Sequence, residues 1–292
     1  MINGSTSGRR FPCCRGFLKR VVILLLLAFV IDATFYEPFH PVLTTYNVAI
    51  PGLPRRLDGF RVVQLSDLHR SLIVSDGLIR KAVVIANSTR ANVAVATGDF
   101  VSRNARNAAP CCRILKGLRT GYGTFAVLGN HDYWTNASVV GKAVTGSGIT
   151  LLTNTSARLP NGLRLVGIDD EWSGRPDEVA AFRRVKNGEC YIVICHSPVS
   201  IKRLSGRSGL VLAGHTHGGQ VNLPVITKAS MSWLHHCDYV AGWYSKANVL
   251  MYVNRGIGTV SPPLRFRCRP EVTLFILHPT ERSRPYVVRS LD

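Results

Sequence analysis

The chain is poor in acid. Its 292 residues hold 17 Asp and Glu against 36 Lys and Arg, a formal charge of +19 at pH 7. Such a balance favours anionic partners: nucleic acid, anionic lipid or a phosphorylated metabolite. The basic residues, 28 of them Arg, are scattered rather than gathered in one run, so charge alone selects none of these. Aromatic-basic RNP patterns, zinc fingers and helix-turn-helix spacing are missing, which leaves nucleic acid without support beyond charge. No two of the eight cysteines stand at C-x-x-C spacing, so neither a zinc ribbon nor a thioredoxin motif is supported. There is no internal repeat of fixed period and no low-complexity tract. A hydrophobic content of 46% excludes disorder, and the length leaves room for one large domain or two small ones.

The N-terminus reads separately from the rest. Residues 1–20 carry Arg9, Arg10, Arg15, Lys19 and Arg20 and no acid. Val21 to Ile31 is then eleven unbroken apolar residues, stopped by Asp32. Eleven is short for a spanning helix and typical of a signal-peptide core. With Ala33 to Tyr36 the stretch reaches sixteen residues with one charge, and no small-residue cleavage site follows. An uncleaved membrane anchor over about residues 17–36 is therefore expected, within a basic N-terminus and linker of residues 1–43, ahead of a folded domain at 44–292. The positive-inside rule keeps the basic end in the cytoplasm and puts the domain outside. Arg9-Arg10-Phe11 and Arg15-Gly16-Phe17-Leu18-Lys19 each echo part of a twin-arginine export signal, and neither is complete. Cysteine usage points the other way, because Cys13, Cys14, Cys111, Cys112, Cys190, Cys195, Cys237 and Cys268 are many for an exported domain without a disulfide framework. The side of the membrane stays open. Cys13-Cys14, beside the apolar run, are plain thiols or lipidation sites.

From about Thr44, after Pro38 and Pro41, strands and helices alternate. Strands are expected at 61–66, 92–97, 124–128, 149–152, 163–168, 191–195 and 210–213, with helices at 75–87, 105–118, 136–144 and 177–185. The end of the chain reads as strand, at 220–223, 249–253, 271–277 and 285–289. Five of these apolar strands end in a cluster of Asp, His or Asn: Asp67-Leu68-His69, Gly98-Asp99, Gly129-Asn130-His131-Asp132, His196-Ser197-Pro198 and Gly214-His215-Thr216-His217. Open α/β sheets build their sites outside the carboxyl ends of their strands, so the five clusters are expected to converge. His215 and His217, at i and i+2 in extended chain, point to one side. His40, His235, His236 and His278 fall outside the clusters and read as structural or surface residues.

In order and spacing, these five motifs resemble the calcineurin-like metallophosphoesterases, over residues 55–280 or so and without a substitution. The flanking segments Gly167-Ile168-Asp169-Asp170, Gly218-Gly219-Gln220 and Asn254-Arg255-Gly256 are most similar to its YkuE/YaeI-type branch of membrane-associated phosphodiesterases. The resemblance implies a four-layer α/β/β/α sandwich and a pair of divalent metal ions. A phosphate ester repels an incoming anion, and two cations about 3.5–4 Å apart neutralise that charge and hold a deprotonated water for in-line attack. The mixed oxygen and imidazole ligands suit Mn²⁺, Fe or Zn²⁺. Carried over, one metal takes Asp67, His69, Asp99 and His217, and the other takes Asp99, Asn130, His196 and His215, with Asp99 bridging. His131 then faces the leaving oxygen as proton donor, and Asp132 either orients that imidazole or caps a loop.

Residues beyond the motifs carry less. Asp169-Asp170-Glu171 reads as a turn or salt-bridged loop rather than a further metal site. Trp233, Trp243 and Tyr244 read as packing, with a lipid or sugar pocket as the alternative. Arg70 and Arg255 are the candidates for holding a second phosphate, whereas Arg265, Arg267 and Arg269 read as surface residues. The function expected is a membrane-anchored phosphoesterase acting on a phosphodiester or pyrophosphate, on a phosphorylated small molecule or a lipid. A narrower form, a UDP-2,3-diacylglucosamine pyrophosphatase of lipid A synthesis, requires a cytoplasmic domain and so conflicts with the charge rule. A nucleic-acid-binding protein or nuclease is the reading from another class. A metal-binding scaffold without turnover is disfavoured by the intact His131.

Overall fold

A computed structural model describes residues 13–204, 206–235 and 237–288. Arg9, Arg10 and His236 lie outside them. In chain order the main elements are α1 (Cys13–Ile31), β1 (Val42–Pro51), β2 (Phe60–Leu65), α2 (Asp76–Ser88), β3 (Val93–Thr97), α3 (Ala108–Leu115), β4 (Thr124–Val127), α4 (Asn130–Gly146), β5 (Thr150–Leu151), β6 (Thr155–Arg158) and β7 (Arg164–Gly167). They continue with α5 (Glu178–Phe182), β8 (Tyr191–Ile194), β9 (Gly209–Ala213), α6 (Pro224–His235), β10 (Gly242–Lys246), β11 (Val249–Val253), β12 (Glu271–Thr280) and β13 (Tyr286–Val288).

The strands form two sheets, a seven-stranded one in the order β13-β1-β12-β2-β3-β4-β5 and a six-stranded one in the order β10-β11-β9-β8-β7-β6. β3 and β9 are buried at every position, as strands covered on both faces must be, and this is why they read as unbroken apolar runs. Val62, Val93, Val95 and Val127 of the first sheet meet Leu165, Ile192, Ile194 and Leu212 of the second in the core between the sheets. On the outer face of the first sheet lie α2, α3 and α4; α2 inserts Leu78, Ile79, Ala82, Val83 and Ala86, which share one helix face. The outer face of the second sheet packs Val166, Val193 and Val211 on Ala181 and Phe182 of α5 and on Ile201 and Leu204. Helices, sheet, sheet and short helices thus follow one another. β2, β3 and β4 run parallel, as do β7, β8 and β9, so within each sheet the motif-bearing strand ends share an edge. Just beneath those ends the buried Gln64 donates to Thr97 Oγ1 of its own sheet (3.0 Å) and to the Ala213 carbonyl of the other (2.9 Å).

Four departures from the sequence reading have local causes. β1 begins at Val42 and pairs in parallel with β12 along its length, so Val42 and Leu43 belong to the sheet rather than a linker. Gln220–Leu223 makes a single bridge, Val221 with Phe266, and gives way to α6, which Pro224 opens in the position where its missing N–H costs nothing. α4 starts at Asn130 instead of Asn136, where the backbone is non-helical and kinks it. Arg265 is not a surface residue: it is fully buried and donates to the carbonyls of Arg255 (2.9 Å), Gly256 (3.1 Å), Gly258 (2.5 Å) and Cys268 (2.9 Å).

At the N-terminal end, α1 exposes Leu24, Leu25, Leu26 and Leu27 and passes into a π-helical turn at Asp32–Tyr36. Among the described residues no helix is long and apolar enough to cross a membrane. Beyond the turn, Glu37 is buried and accepts the amides of Arg267 (2.9 Å) and Cys268. Cys111, Cys112, Cys190, Cys195, Cys237 and Cys268 are free, buried thiols. Trp243 packs edge-on against Tyr46 (5.2 Å), Tyr252 (4.9 Å) and Phe275 (5.8 Å), a structural role.

Candidate metal centre

The five motifs meet at one edge of the sandwich. The turns after β2, β3 and β9 are tight, and they hold Asp67, His69, Asp99, His215 and His217 at φ of 51°, 47°, 55°, 76° and 52°. Non-glycine residues reach this left-handed region at a cost of roughly 1–3 kcal/mol each, and such strain gathers at functional sites. Packing holds it in place: a Cβ on Gly214 would lie 1.9 Å from Ser66 Oγ and 2.5 Å from Asp67 Oδ2, so only glycine lets the two turns approach.

Two clusters share one carboxylate. In the first, His69 Nε2 and His217 Nε2 lie 2.9 Å apart, with Asp99 Oδ2 3.3 Å from His69 Nε2 and Asp67 Oδ1 3.5 Å from His217 Nε2. Asp67, His69, Asp99 and His217 are all buried, and their ligand atoms lie within 4.8 Å of one another, a group that could hold a metal ion. In the second, Asn130 Oδ1 is 3.0 Å from His196 Nε2 and 2.9 Å from His215 Nδ1, and those two nitrogens are 3.1 Å apart. Asp99 Oδ2 is also 3.4 Å from His196 Nε2, so this oxygen stands between the clusters. The opposite nitrogen of His196 is 2.8 Å from the Thr97 carbonyl, an acceptor, and therefore carries the proton.

The electrostatics suit cations. Burial, reinforced by the neighbouring His69, pushes His217 well below the usual imidazole range, favouring the neutral ring that ligates a metal. Burial would raise Asp99, but the His196 and His69 imidazoles hold it well below the usual carboxylate range. Burial likewise opposes charge on His196, and Asp99 overrides it and holds that imidazole well above its ordinary value. Buried imidazole nitrogens facing one another beside two carboxylates form a set of donors aimed at one space. The residues therefore fit divalent metal, and the oxygen–nitrogen mixture without thiolate matches Mn²⁺, Fe or Zn²⁺.

Around the clusters the other expected residues divide. His131 and Trp134 line the cavity of about 300 Å³ at the centre, together with Asp99, Asn130, His215 and His217. His131 Nδ1 lies 2.7 Å from the Ser102 carbonyl, which can only accept, so Nδ1 carries the proton and Nε2 is left for other partners. Burial lowers the His131 pKa. Asp132 does not orient that ring. Its carboxylate accepts the amides of Phe100 (2.9 Å), Val101 (3.3 Å) and Gly129 (3.0 Å), which makes it the cap of α4 and the clasp of the Asp99 loop. The Ser102 carbonyl does the orienting, a backbone role that no side-chain motif signals. Arg70 donates to Asp76 (2.7 Å) and Asn107 (2.7 Å), and Arg255 to the buried Glu271 (3.0 Å). Neither arginine lines the central cavity, and each makes an ion pair within the protein, Arg70 with Asp76 and Arg255 with Glu271. Asp169 and Asp170 accept backbone amides of their own loop, Arg175 N at 2.9 Å and Ser173 N at 2.7 Å, as turn residues do. Two tryptophans were not singled out by the motifs: Trp134 packs 4.6 Å from His131, and Trp172 stacks 6.1 Å from His215. The only sequence signal for Trp134 is its place three residues after His131, one helical turn along.

A two-sheet α/β fold with Asp, Asn and His gathered at its strand ends defines a metallophosphoesterase. The chain belongs to the calcineurin-like phosphoesterases, whose family model matches residues 60–219, and it is a metal-dependent phosphoesterase. It is 29% identical over 260 residues to the uncharacterized metallophosphoesterase YkuE of Bacillus subtilis, covering 85% of this chain and 89% of that one. Identity to the phosphodiesterase YaeI of Escherichia coli is 31%, over 75% of this chain and 82% of that one. The UDP-2,3-diacylglucosamine pyrophosphatase LpxG of Chlamydia trachomatis is 29% identical, over 83% of this chain and 91% of the relative.

Proposed function

We propose that this protein is a membrane-associated phosphoesterase that uses two divalent metal ions to hydrolyse a phosphodiester or pyrophosphate bond in an amphipathic substrate. The observation that carries the reading is the pair of clusters sharing Asp99 Oδ2, 3.3 Å from His69 and 3.4 Å from His196. Asp67, His69, Asp99 and His217 would hold one ion, and Asp99, Asn130, His196 and His215 the other. Bound there, the ions supply positive charge against the phosphate and a lowered pKa for water. Asn130 contributes oxygen without adding negative charge where an anion must enter. His131, fixed through its Nδ1–H by Ser102, presents Nε2 to the leaving oxygen; from Nε2 only the imidazolium donates, a form that burial opposes and the Asp99 carboxylate favours. The exposed apolar side chains of α1 support attachment to the bilayer, with the domain outside by the charge rule.

A narrower reading, hydrolysis of a nucleotide-linked diacyl sugar on the cytoplasmic side, draws on the likeness to LpxG. Hydrolysis of bis-p-nitrophenyl phosphate with added Mn²⁺, abolished by chelation and restored by metal, is the result expected. Its absence in a folded, metal-loaded protein would overturn the proposal. Release of UMP from UDP-2,3-diacylglucosamine, set beside cleavage of single-stranded DNA, separates the lipid substrate from nucleic acid. Protease accessibility in intact cells or spheroplasts reads the side of the membrane.

A further inference from the structure

The outward face of α6 is inverted for a helix in water. Thr227 and Met231 turn inward, Met231 into the cavity of the metal centre. Val225 (83% exposed), Ile226 (66%) and Trp233 (79%) stand in solvent instead, at spacings that share the opposite face. A surface helix in water keeps its apolar stripe against the core, and large apolar side chains gathered on the outside mark a binding surface.

Two further apolar features flank the same mouth. Leu72 and Ile73 are exposed beside a second cavity, which shares Val260 and Ser261 with that of the centre. α1 packs close by: Phe29 meets Phe266 edge-on at 4.7 Å. The Phe266 amide donates to the Gln220 carbonyl (2.9 Å), and the Phe266 carbonyl accepts from Asn222 (2.8 Å), in the segment that enters α6. Gln220 itself lines the central cavity. The apolar helix α1, the apolar face of α6 and the opening of the centre are therefore contiguous. Exposed bases accompany each of them: Lys19 and Arg20 on α1, Lys228 on α6 and Arg103 beside Leu72. Apolar side chains with basic neighbours match the acyl boundary and headgroups of an anionic bilayer.

We infer that α6 and the 71–73 loop seat the mouth of the metal centre on an anionic phospholipid bilayer, as a contact additional to α1. The inference rests on the membrane-associated reading above and adds an orientation to it: a phosphate ester enters headgroup first while its tails stay in the lipid. The test uses the full chain in phosphatidylcholine–phosphatidylglycerol vesicles with brominated acyl chains, read by tryptophan fluorescence. The part of the emission that Trp233→Phe removes should be quenched by bromine, and less so when phosphatidylglycerol is left out. In Val225→Asp/Ile226→Asp that quenching should be lost, while hydrolysis of bis-p-nitrophenyl phosphate stays at the parent rate, because neither side chain lines the centre. Unquenched Trp233 in a chain that stays vesicle-bound would show α6 facing water and overturn the inference. So would an unquenched dimer in detergent that the double variant dissociates, since a second copy would then be the occupant. Failure of the parent protein to hydrolyse the soluble diester would strike the phosphoesterase reading instead, leaving the quenching result to stand or fall alone.

Discussion

Gly129→Ala tests the geometry of the shared carboxylate more sharply than removal of a ligand. Gly129 sits at φ −111° and ψ 176°, extended backbone that alanine adopts freely, so the substitution carries no conformational penalty of its own. The cost is steric. A Cβ there would stand 2.3 Å from Asp99 Oδ1, 2.7 Å from Asp99 N and 2.8 Å from His196 Cε1. Non-bonded heavy atoms settle at about 3.5 Å, so the carboxylate must retreat by about 1 Å. Overpacking of this kind destabilises by about 1–3 kcal/mol. A displacement of about 1 Å in a reacting geometry costs on the order of a hundredfold in rate. Asp99 belongs to both clusters, so one methyl group should disturb both. We expect Gly129→Ala to be folded, to carry less metal by elemental analysis, and to hydrolyse bis-p-nitrophenyl phosphate at least about a hundredfold more slowly. Gly146→Ala is the control, because a Cβ at the end of α4 meets nothing within 4 Å. It should gain up to about 1 kcal/mol and leave turnover alone. Full metal content and parental turnover in Gly129→Ala would refute the shared role of Asp99.

Three other outcomes follow from the same structure. His131→Ala should retain its metal and lose at least about a hundredfold in turnover, the usual scale of proton-transfer catalysis; near-normal turnover would remove His131 from the reaction. Asp132→Ala leaves the amides of Phe100, Val101 and Gly129 without their acceptor, and should cost about 2–4 kcal/mol in a denaturant titration while the pH–rate profile of the remaining activity keeps its shape. Burial pushes Glu271 up, but the Arg255 guanidinium holds its carboxyl below the ordinary value of 4.5, so its stabilisation is complete above that pH and is lost as pH falls through the lowered value. Denaturation midpoints of the parent should therefore drop below about pH 4.5, and Glu271→Gln should flatten that slope.

The five strand-end clusters were legible because each is short-range: an apolar strand followed at once by its polar residues. Their convergence was legible too, since parallel strands carry their C-terminal ends to one edge. What escaped the sequence depends on partners far away in the chain. Arg265 reads as one more arginine in a basic tail until four carbonyls are seen around it. Asp132 reads equally well as catalytic or capping until the amides of Phe100 and Val101, some thirty residues earlier, are placed beside it. α6 has no counterpart in the sequence reading: Gln220–Leu223 has strand-like residues, and Pro224 lets a helix begin just behind them. Trp134 and Trp172 lie outside every motif and acquire meaning only from the imidazoles they touch.

Gln64 and the placement of the clusters together have a mechanical consequence. Each cluster draws on both sheets: His217 comes from β9 to join Asp67, His69 and Asp99, and His196 and His215 come from β8 and β9 to join Asn130 and Asp99. An ion bound in either place is a rivet through the two halves of the sandwich, and Gln64 is the washer beneath it. Sliding one sheet past the other by a fraction of a residue would pull both rivets at once, so loading the metals should stiffen the whole molecule and not merely its rim.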